Sequence, residues 1–357
     1  MASENSPFFS VIIPIYNVSR FIEKGFKNIL AQSFKDYEVI MVDDGSTDGS
    51  GKMCDQLANA DERVFCFHQE NMGSGPARDL GIHKSSGEYI AFFDIDDEVD
   101  PNWLQVCHDE LKEKDCVDVL MFSYDSYDIQ YKTITPIVFE RLSCSSNKEI
   151  QMNYVDHLLG LDKSNGFVWN KVYRREFLID NQLSFPHLLI QQDEVFNLRV
   201  YRKAHNLMIC PAILYHYFVY GKGNTRSGYI PDRLRIYRTV KDEFMSLYED
   251  WHLDDIRMPK YVYKRYFNSI VDTITFNNNH DASPLIQSER DDDLRSIIND
   301  ADVQDCINQM EFLSIVPHSG FMKWYYKAIR ASDVSMCLKV RKLDLWYNAF
   351  KKYLKGV

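Results

Sequence analysis

The sequence predicts an α/β protein: a mostly parallel central sheet flanked by helices, followed by a mainly helical C-terminal region. Three features carry that prediction. Short apolar, β-branched runs alternate with helical patterns through the first hundred residues. Acidic or glycine-rich turns follow those runs. Beyond Pro231 the apolar spacing becomes helical, broken by a polar stretch at 276–284 and an acidic run at 289–293.

The elements follow in order. Phe9–Pro14 is a buried strand. Ser19–Ser33 has helical spacing, with Phe21, Ile22, Phe26, Ile29 and Leu30 on one face and Ser19 as N-cap. Tyr37–Val42 is a second strand, ending in the loop Asp43–Ser50, which opens a helix near Lys52. Val64–His68 is a third strand, and the turn Gly73–Gly75 leads into a helix through about His83. Tyr89–Phe93 is a fourth strand that runs straight into Asp94, Asp96 and Asp97. Such alternation gives parallel strands with right-handed crossovers, and ligands bind beyond their carboxyl ends. Tyr16, Asp44, Arg78 and the Asp94 cluster are therefore expected around one cleft. A helix at Trp103–Lys112, a strand at Val117–Tyr124 and further short strands come next. A domain boundary is expected near residue 230.

Bulk properties narrow the class. The net charge of −11 argues against a nucleic-acid partner. Eight cysteines without a CxxC pair read as buried thiols in a reducing compartment. The N-terminus lacks a charged, apolar signal pattern, and no stretch of 18 apolar residues exists, so a cytosolic protein is expected. Charge is uneven: residues 321–357 hold nine Lys/Arg against two Asp, a balance of +7, with eight aromatics.

Four segments carry chemistry. In Asp94-Ile95-Asp96-Asp97 an extended backbone would put Asp94 and Asp96 on one face, fit for a ribose hydroxyl and a hard cation such as Mn²⁺ or Mg²⁺. The alternative is a solvated acidic loop. Asp43-Asp44-Gly45 at a strand end suits base or ribose recognition, or a plain turn. Asn71 to Gly81 offers Arg78 early in a helix, suited to a diphosphate or a base carbonyl. Its glycines do not form GxGxxG, which disfavours a nicotinamide dehydrogenase. Gln192-Asp193-Glu194 gives either a general base or a helix-capping acid.

Together these segments resemble glycosyltransferase family 2, enzymes of bacterial capsule, O-antigen and exopolysaccharide synthesis. Ser10 to Asn17 is similar to the family's opening strand, and Val42 to Asp48 to its second-strand signature. Asn71 to Gly81 resembles its N-x-G-x-x-x-A-R-N-x-G segment, and Phe93 to Asp97 its D-x-D motif. Trp169 to Arg175 and Gln192 to Phe196 look like its later W-N-K and E-D-x-x-F elements. The match spans about residues 8–230. It departs at Gln192, where the family has Glu, and at Asp79, where it has Asn.

The resemblance implies a GT-A fold, Rossmann-like, over 1–230, with a nucleotide-sugar half at about 1–100 and an acceptor half at about 101–230. Residues 231–357 form a helical region with a basic aromatic tail. Pro14 and Tyr16 are expected to line the nucleotide pocket, Asp44 to read the base, and Arg78 to approach the base or diphosphate. Asp94 is expected near ribose, Asp96 at the metal with Asp97 as co-ligand, and Asp193 as catalytic base. His216 and Arg226 fall where relatives contact metal or diphosphate.

The implied activity is inverting, metal-dependent transfer from a UDP-sugar or similar donor to a glycan or lipid-linked glycan. A sugar-nucleotide-binding scaffold without activity is the alternative. In the tail, Leu343, Trp346, Tyr347, Phe350 and Leu354 fall at helical spacing, flanked by Lys339, Arg341, Lys342, Lys351, Lys352 and Lys355. That face fits the inner surface of an anionic membrane, or packing on the catalytic domain or a second subunit of a homo-oligomer.

Overall fold

The structure, a computed structural model, describes residues 6–112, 114, 116–160, 166–220 and 228–354, with side chains through residue 348. The chain divides into two compact units, Met1–Lys222 and Gly223–Val357.

The first unit is built on one mixed sheet. Its strands are β1 (Phe9–Ile15), β2 (Tyr37–Asp43), β3 (Val64–His68), β4 (Tyr89–Phe92), β5 (Glu98–Val99), β6 (Val119–Asp128), β7 (Thr133–Ile137), β8 (Leu142–Cys144), β9 (Lys171–Arg174) and β10 (Leu207–Val219). The order is β3-β2-β1-β4-β9-β6-β10-β5, with β7 on β6 and β8 on β10. The first four strands are mutually parallel, and β6 pairs β10 in parallel. β9 lies antiparallel between β4 and β6 and joins the two parallel blocks. β1, β2 and β4 are buried almost throughout, which is why they read as continuous apolar runs rather than alternating ones. The helices are α1 (Ser19–Leu30), α2 (Ser50–Ala60), α3 (Ser74–Lys84), α4 (Trp103–Leu111), α5 (Asn147–Asn153), α6 (Arg175–Asp180) and α7 (Gln192–Lys203).

Three local expectations change. Ser19 is the first helical residue of α1 and not its cap; the preceding Val18 offers no capping side chain. The orphan N–H groups are taken instead from the next loop: Ser19 N donates to Asp48 Oδ2 and Val18 N to Ser50 Oγ, both at 3.0 Å. The same loop clamps Asn17, whose N–H donates to Ser46 Oγ at 3.0 Å and whose Oδ1 accepts from Thr47 N at 2.8 Å. Asp94–Asp97 is a turn, closed by Asp97 N donating to Asp94 O at 3.0 Å, so the period-2 alternation of an extended segment does not apply there. α1 can press against this turn because Gly25 faces the Ile95 carbonyl, at a distance that excludes a Cβ.

The second unit is helical: α8 (Arg233–Asp250), α9 (Arg257–Asp272), α10 (Gln287–Ile298), α11 (Ala301–Phe312), α12 (Gly320–Arg330) and α13 (Val334–Leu354). Tyr266, Ile270, Leu294, Ile307, Tyr325 and Cys337 belong to its continuous core. The start of the basic tail is thus core. Arg341, expected as a surface cation, is buried and paired with Asp291. Leu343 and Trp346 are exposed, while Phe350 and Leu354 lie outside the described side chains. No described helix is long and apolar enough to cross a membrane.

Candidate active site

Arg78 is the centre of the site. It is 4 % exposed, on the second turn of α3. Its Nη1 donates to Asp193 Oδ1 at 2.8 Å and its Nη2 to Asp94 Oδ1 at 2.9 Å. One guanidinium therefore ties the turn after β4 to the first turn of α7, its two partners lying 16 and 115 residues from Arg78 in the sequence. Burial works against the charge on Arg78, but the fields of Asp193 and Asp94 outweigh it and hold its pKa above the ordinary value. Both Nη groups of Arg78, expected to approach a base or diphosphate, are engaged in this double ion pair. α3 and α7 come close because Gly75 leaves room for the Gln192 side chain, whose Nε2 donates to Ser74 Oγ. Asp79 adds a second tie, accepting Phe185 N at 3.1 Å; burial raises its pKa to about 6. Arg78 lies 5.7 Å from the Phe185 ring.

The three carboxylates after β4 have separate environments. Asp94 faces Arg78. Asp97 is buried, with Tyr215 Oη donating to its Oδ2 at 2.9 Å and Phe218 N to its Oδ1 at 2.8 Å. Burial, then the charges of Asp96 and Asp94, push Asp97 well above the carboxylate range. Tyr215 Oη also accepts Asp94 N at 3.1 Å, so one hydroxyl pins both ends of the turn. Asp96 is half-buried; its backbone carbonyl accepts Tyr220 Oη at 3.0 Å. Its carboxyl is raised to about 6, by burial first and Asp94 second.

The other expected residues are placed as follows. Asp44 is 2 % exposed and accepts from Gln69 Nε2, Met72 N and Gly73 N at 2.7–2.9 Å. It holds the turn before α3, which occupies most of its acceptor capacity. Pro14 pairs with Val42 beyond the last β4 partner of β1, where a missing N–H is tolerated. Tyr16 is 48 % exposed at the end of β1. His216 Nδ1 lies 2.7 Å from Asp125 Oδ1. Among the described residues, Asp96, Asp97 and His216 do not gather their ligand atoms into one group. The expected metal set is therefore not assembled: protein donors engage both oxygens of Asp97, and Asp125 engages His216. Arg226 lies outside the described residues.

A sequence model of the family described as "Glycosyl transferase family 2" matches residues 10–181, from β1 through α6. Through this region, just under half of the chain, the sequence is similar to glycosyltransferase family 2. It is 30 % identical over 226 residues to the putative glycosyltransferase EpsH of Bacillus subtilis, covering 60 % of this chain and 62 % of that protein. It is 41 % identical over 124 residues to glycosyltransferase GlyG of Streptococcus pneumoniae, covering 34 % and 41 %. The aligned part thus spans less than two thirds of these relatives. Among solved structures, S. aureus TarS 1–349 in complex with UDP-GlcNAc superposes with a TM-score of 0.64 at 19 % identity, over 98 % of this chain and 92 % of that one. The likeness establishes the shared fold.

Within and just beyond the family 2 region, the W-N-K segment supports the site in a way the sequence reading did not assign. Trp169 stacks on Tyr215 at 4.3 Å between ring centroids and on Phe167 at 4.5 Å. It thereby fixes the ring whose hydroxyl pins the acidic turn. Lys171 is fully buried, its Nζ donating to Asn170 Oδ1 at 2.8 Å and Phe167 O at 2.6 Å. Burial lowers its pKa to about 7, with Asp193 opposing. A charged residue inside a tryptophan-led strand was the available signal.

Proposed function

We propose that this chain transfers a sugar, with inversion, from a nucleotide-diphosphate donor, a UDP-sugar, to a hydroxyl of a glycan or lipid-linked glycan acceptor. The observation that carries this reading is the Arg78 bridge. It fixes a donor-side acid, Asp94, and a second acid, Asp193, in one cluster beyond the strand ends of a domain similar to family 2.

In this reading the acceptor O–H attacks the anomeric carbon from the face opposite the diphosphate. The new C–O bond forms as the bond to the diphosphate oxygen breaks, and the electron pair leaves with the diphosphate. Asp193 takes the acceptor proton. Arg78 donates to its Oδ1 at 2.8 Å and orients the carboxylate. A positioned base contributes about 10²–10⁴-fold.

Asp96 fits a divalent cation such as Mn²⁺ or Mg²⁺. It makes no ion pair or hydrogen bond to another described side chain, and burial and a neighbouring acid both disfavour its bare charge. Asp97 and His216 fit less well, being engaged elsewhere. A bound cation would supply charge neutralisation for the leaving diphosphate.

Pro14, Tyr16 and Asp44 are proposed on the nucleotide side of the cleft, with Met1–Lys222 as the catalytic unit. The test is release of UDP from a panel of UDP-sugars with Mn²⁺, with and without acceptor glycans. Tight UDP-sugar binding without acceptor-stimulated UDP release would instead establish the scaffold alternative.

A further inference from the structure

We propose that Asp55, Cys66 and His68 form a binding site for a zinc-class divalent cation, separate from Asp96. Cys66 and His68 are two apart on β3 and share a face. Asp55 reaches that face from α2. One oxygen of Asp55, the Cys66 sulfur and one nitrogen of His68 all lie within 4.8 Å of one another. Among the described residues, no other three His, Cys, Asp or Glu side chains gather so closely.

The spacing and the donor set both fit. Tetrahedral zinc with N, S and O ligands keeps them roughly 3.4–3.6 Å apart. Cys66 Sγ is 3.6 Å from His68 Nε2. Asp55 Oδ1 is 2.9 Å from the same nitrogen, a hydrogen bond that must open by about half an ångström. Asp55 can do this, since its side chain is half exposed on a helix. A thiolate with an imidazole and one carboxylate selects a borderline-soft cation over Mg²⁺ or Mn²⁺.

A separate observation points the same way. The other ring nitrogen of His68, Nδ1, lies 2.9 Å from Asp43 Oδ2. A carboxylate behind the imidazole is the arrangement that orients a metal-ligating histidine and aims its free nitrogen at the cation. Cys54, buried on α2, lies beside the Cys66 thiol and, together with burial, holds its pKa above the ordinary value. Without a cation, a proton on Nε2 links His68 to Asp55. Binding forms bonds from the cation to S, N and O, and releases to solvent the Cys66 thiol proton and the proton between His68 and Asp55. No electron transfer is involved, and the site is independent of the sugar-transfer reading.

The test is titration of the full, metal-free chain, reduced with a phosphine, with Co²⁺. The expected result is one equivalent bound with cobalt–thiolate charge-transfer absorption, bleached by stoichiometric Zn²⁺. C66S should abolish the band. D55N, at an exposed position tolerant of change, should weaken binding. D43N should lower affinity about 10–100-fold while keeping the band, as loss of an orienting carboxylate does. D96N should leave the titration unchanged. No charge-transfer band in the reduced wild-type chain, or a band that survives in C66S, overturns the proposal.

Discussion

Replacing Arg78 tests the centre of the site directly. Arg78→Met removes a buried cation that makes two charge-assisted hydrogen bonds, 2.8 and 2.9 Å long, and leaves Asp94 and Asp193 facing each other. Breaking one side of a buried pair costs about 3–5 kcal/mol. The two carboxylates retain 29 % and 23 % exposure and can partly rehydrate, which places the loss near ~3 kcal/mol. Arg78→Lys keeps the charge, but a single ammonium cannot fork to both acids. It should lose about 1–2 kcal/mol and lower kcat roughly 10–100-fold. Urea unfolding followed by tryptophan fluorescence, and initial rates of UDP release, read the two effects. Combining Arg78→Met with Asp193→Asn closes a double-mutant cycle, with an expected coupling of about 1–3 kcal/mol. Additivity within about 0.5 kcal/mol would show that Arg78 and Asp193 do not act together, and the role given to the bridge would fall.

Other substitutions separate the roles of neighbouring groups. Asp193→Asn should cut transfer about 10²–10⁴-fold while donor binding by calorimetry is unchanged; a fully active variant removes Asp193 as base. Asp96→Ala should abolish the Mn²⁺-dependent part of UDP affinity, and equal affinity with and without Mn²⁺ in both proteins would count against that site. Tyr215→Phe loses the hydroxyl shared by Asp97 and Asp94 N, and should cost about 1–3 kcal/mol in unfolding free energy. Lys171, lowered to about 7 by burial, binds fewer protons folded than unfolded between that pH and the ordinary lysine range. Stability should therefore rise with pH through this window, and Lys171→Met should flatten the slope in pH-dependent unfolding. For the tail, cutting at residue 320 would remove core residues Tyr325, Ile329 and Cys337 and confound a membrane test. Leu343→Ser with Trp346→Ser is the sounder change; a drop in flotation with anionic liposomes supports membrane contact, and unchanged flotation rejects it.

The parts of the fold legible in the sequence were those set by local pattern. Val64–His68 reads as a strand and is one, because an edge strand packed under a helix still shows its β-branched and aromatic bias. The buried strands β1, β2 and β4 read as apolar runs for the same local reason. What was not legible depends on distance through the fold. Nothing near Arg78 announces that its partners lie 16 and 115 residues away. The acidic triplet reads as one cluster, yet a turn sends Asp94 to Arg78 and Asp97 to Tyr215. Ser19 looks like a cap, but Asp48 and Ser50 do the capping from another loop. Arg341 looks like surface charge because its partner, Asp291, is 50 residues earlier.

The exchange of hydrogen bonds between Asn17–Ser19 and Ser46–Ser50 makes these two segments a single structural part. Neither can be transplanted alone. A chimera that borrows the loop after β2 from a relative would strip α1 of its cap unless the residues after β1 travel with it. Substitutions in one segment should be tolerated chiefly when the other changes in step, so the smallest exchangeable piece of this face is the pair.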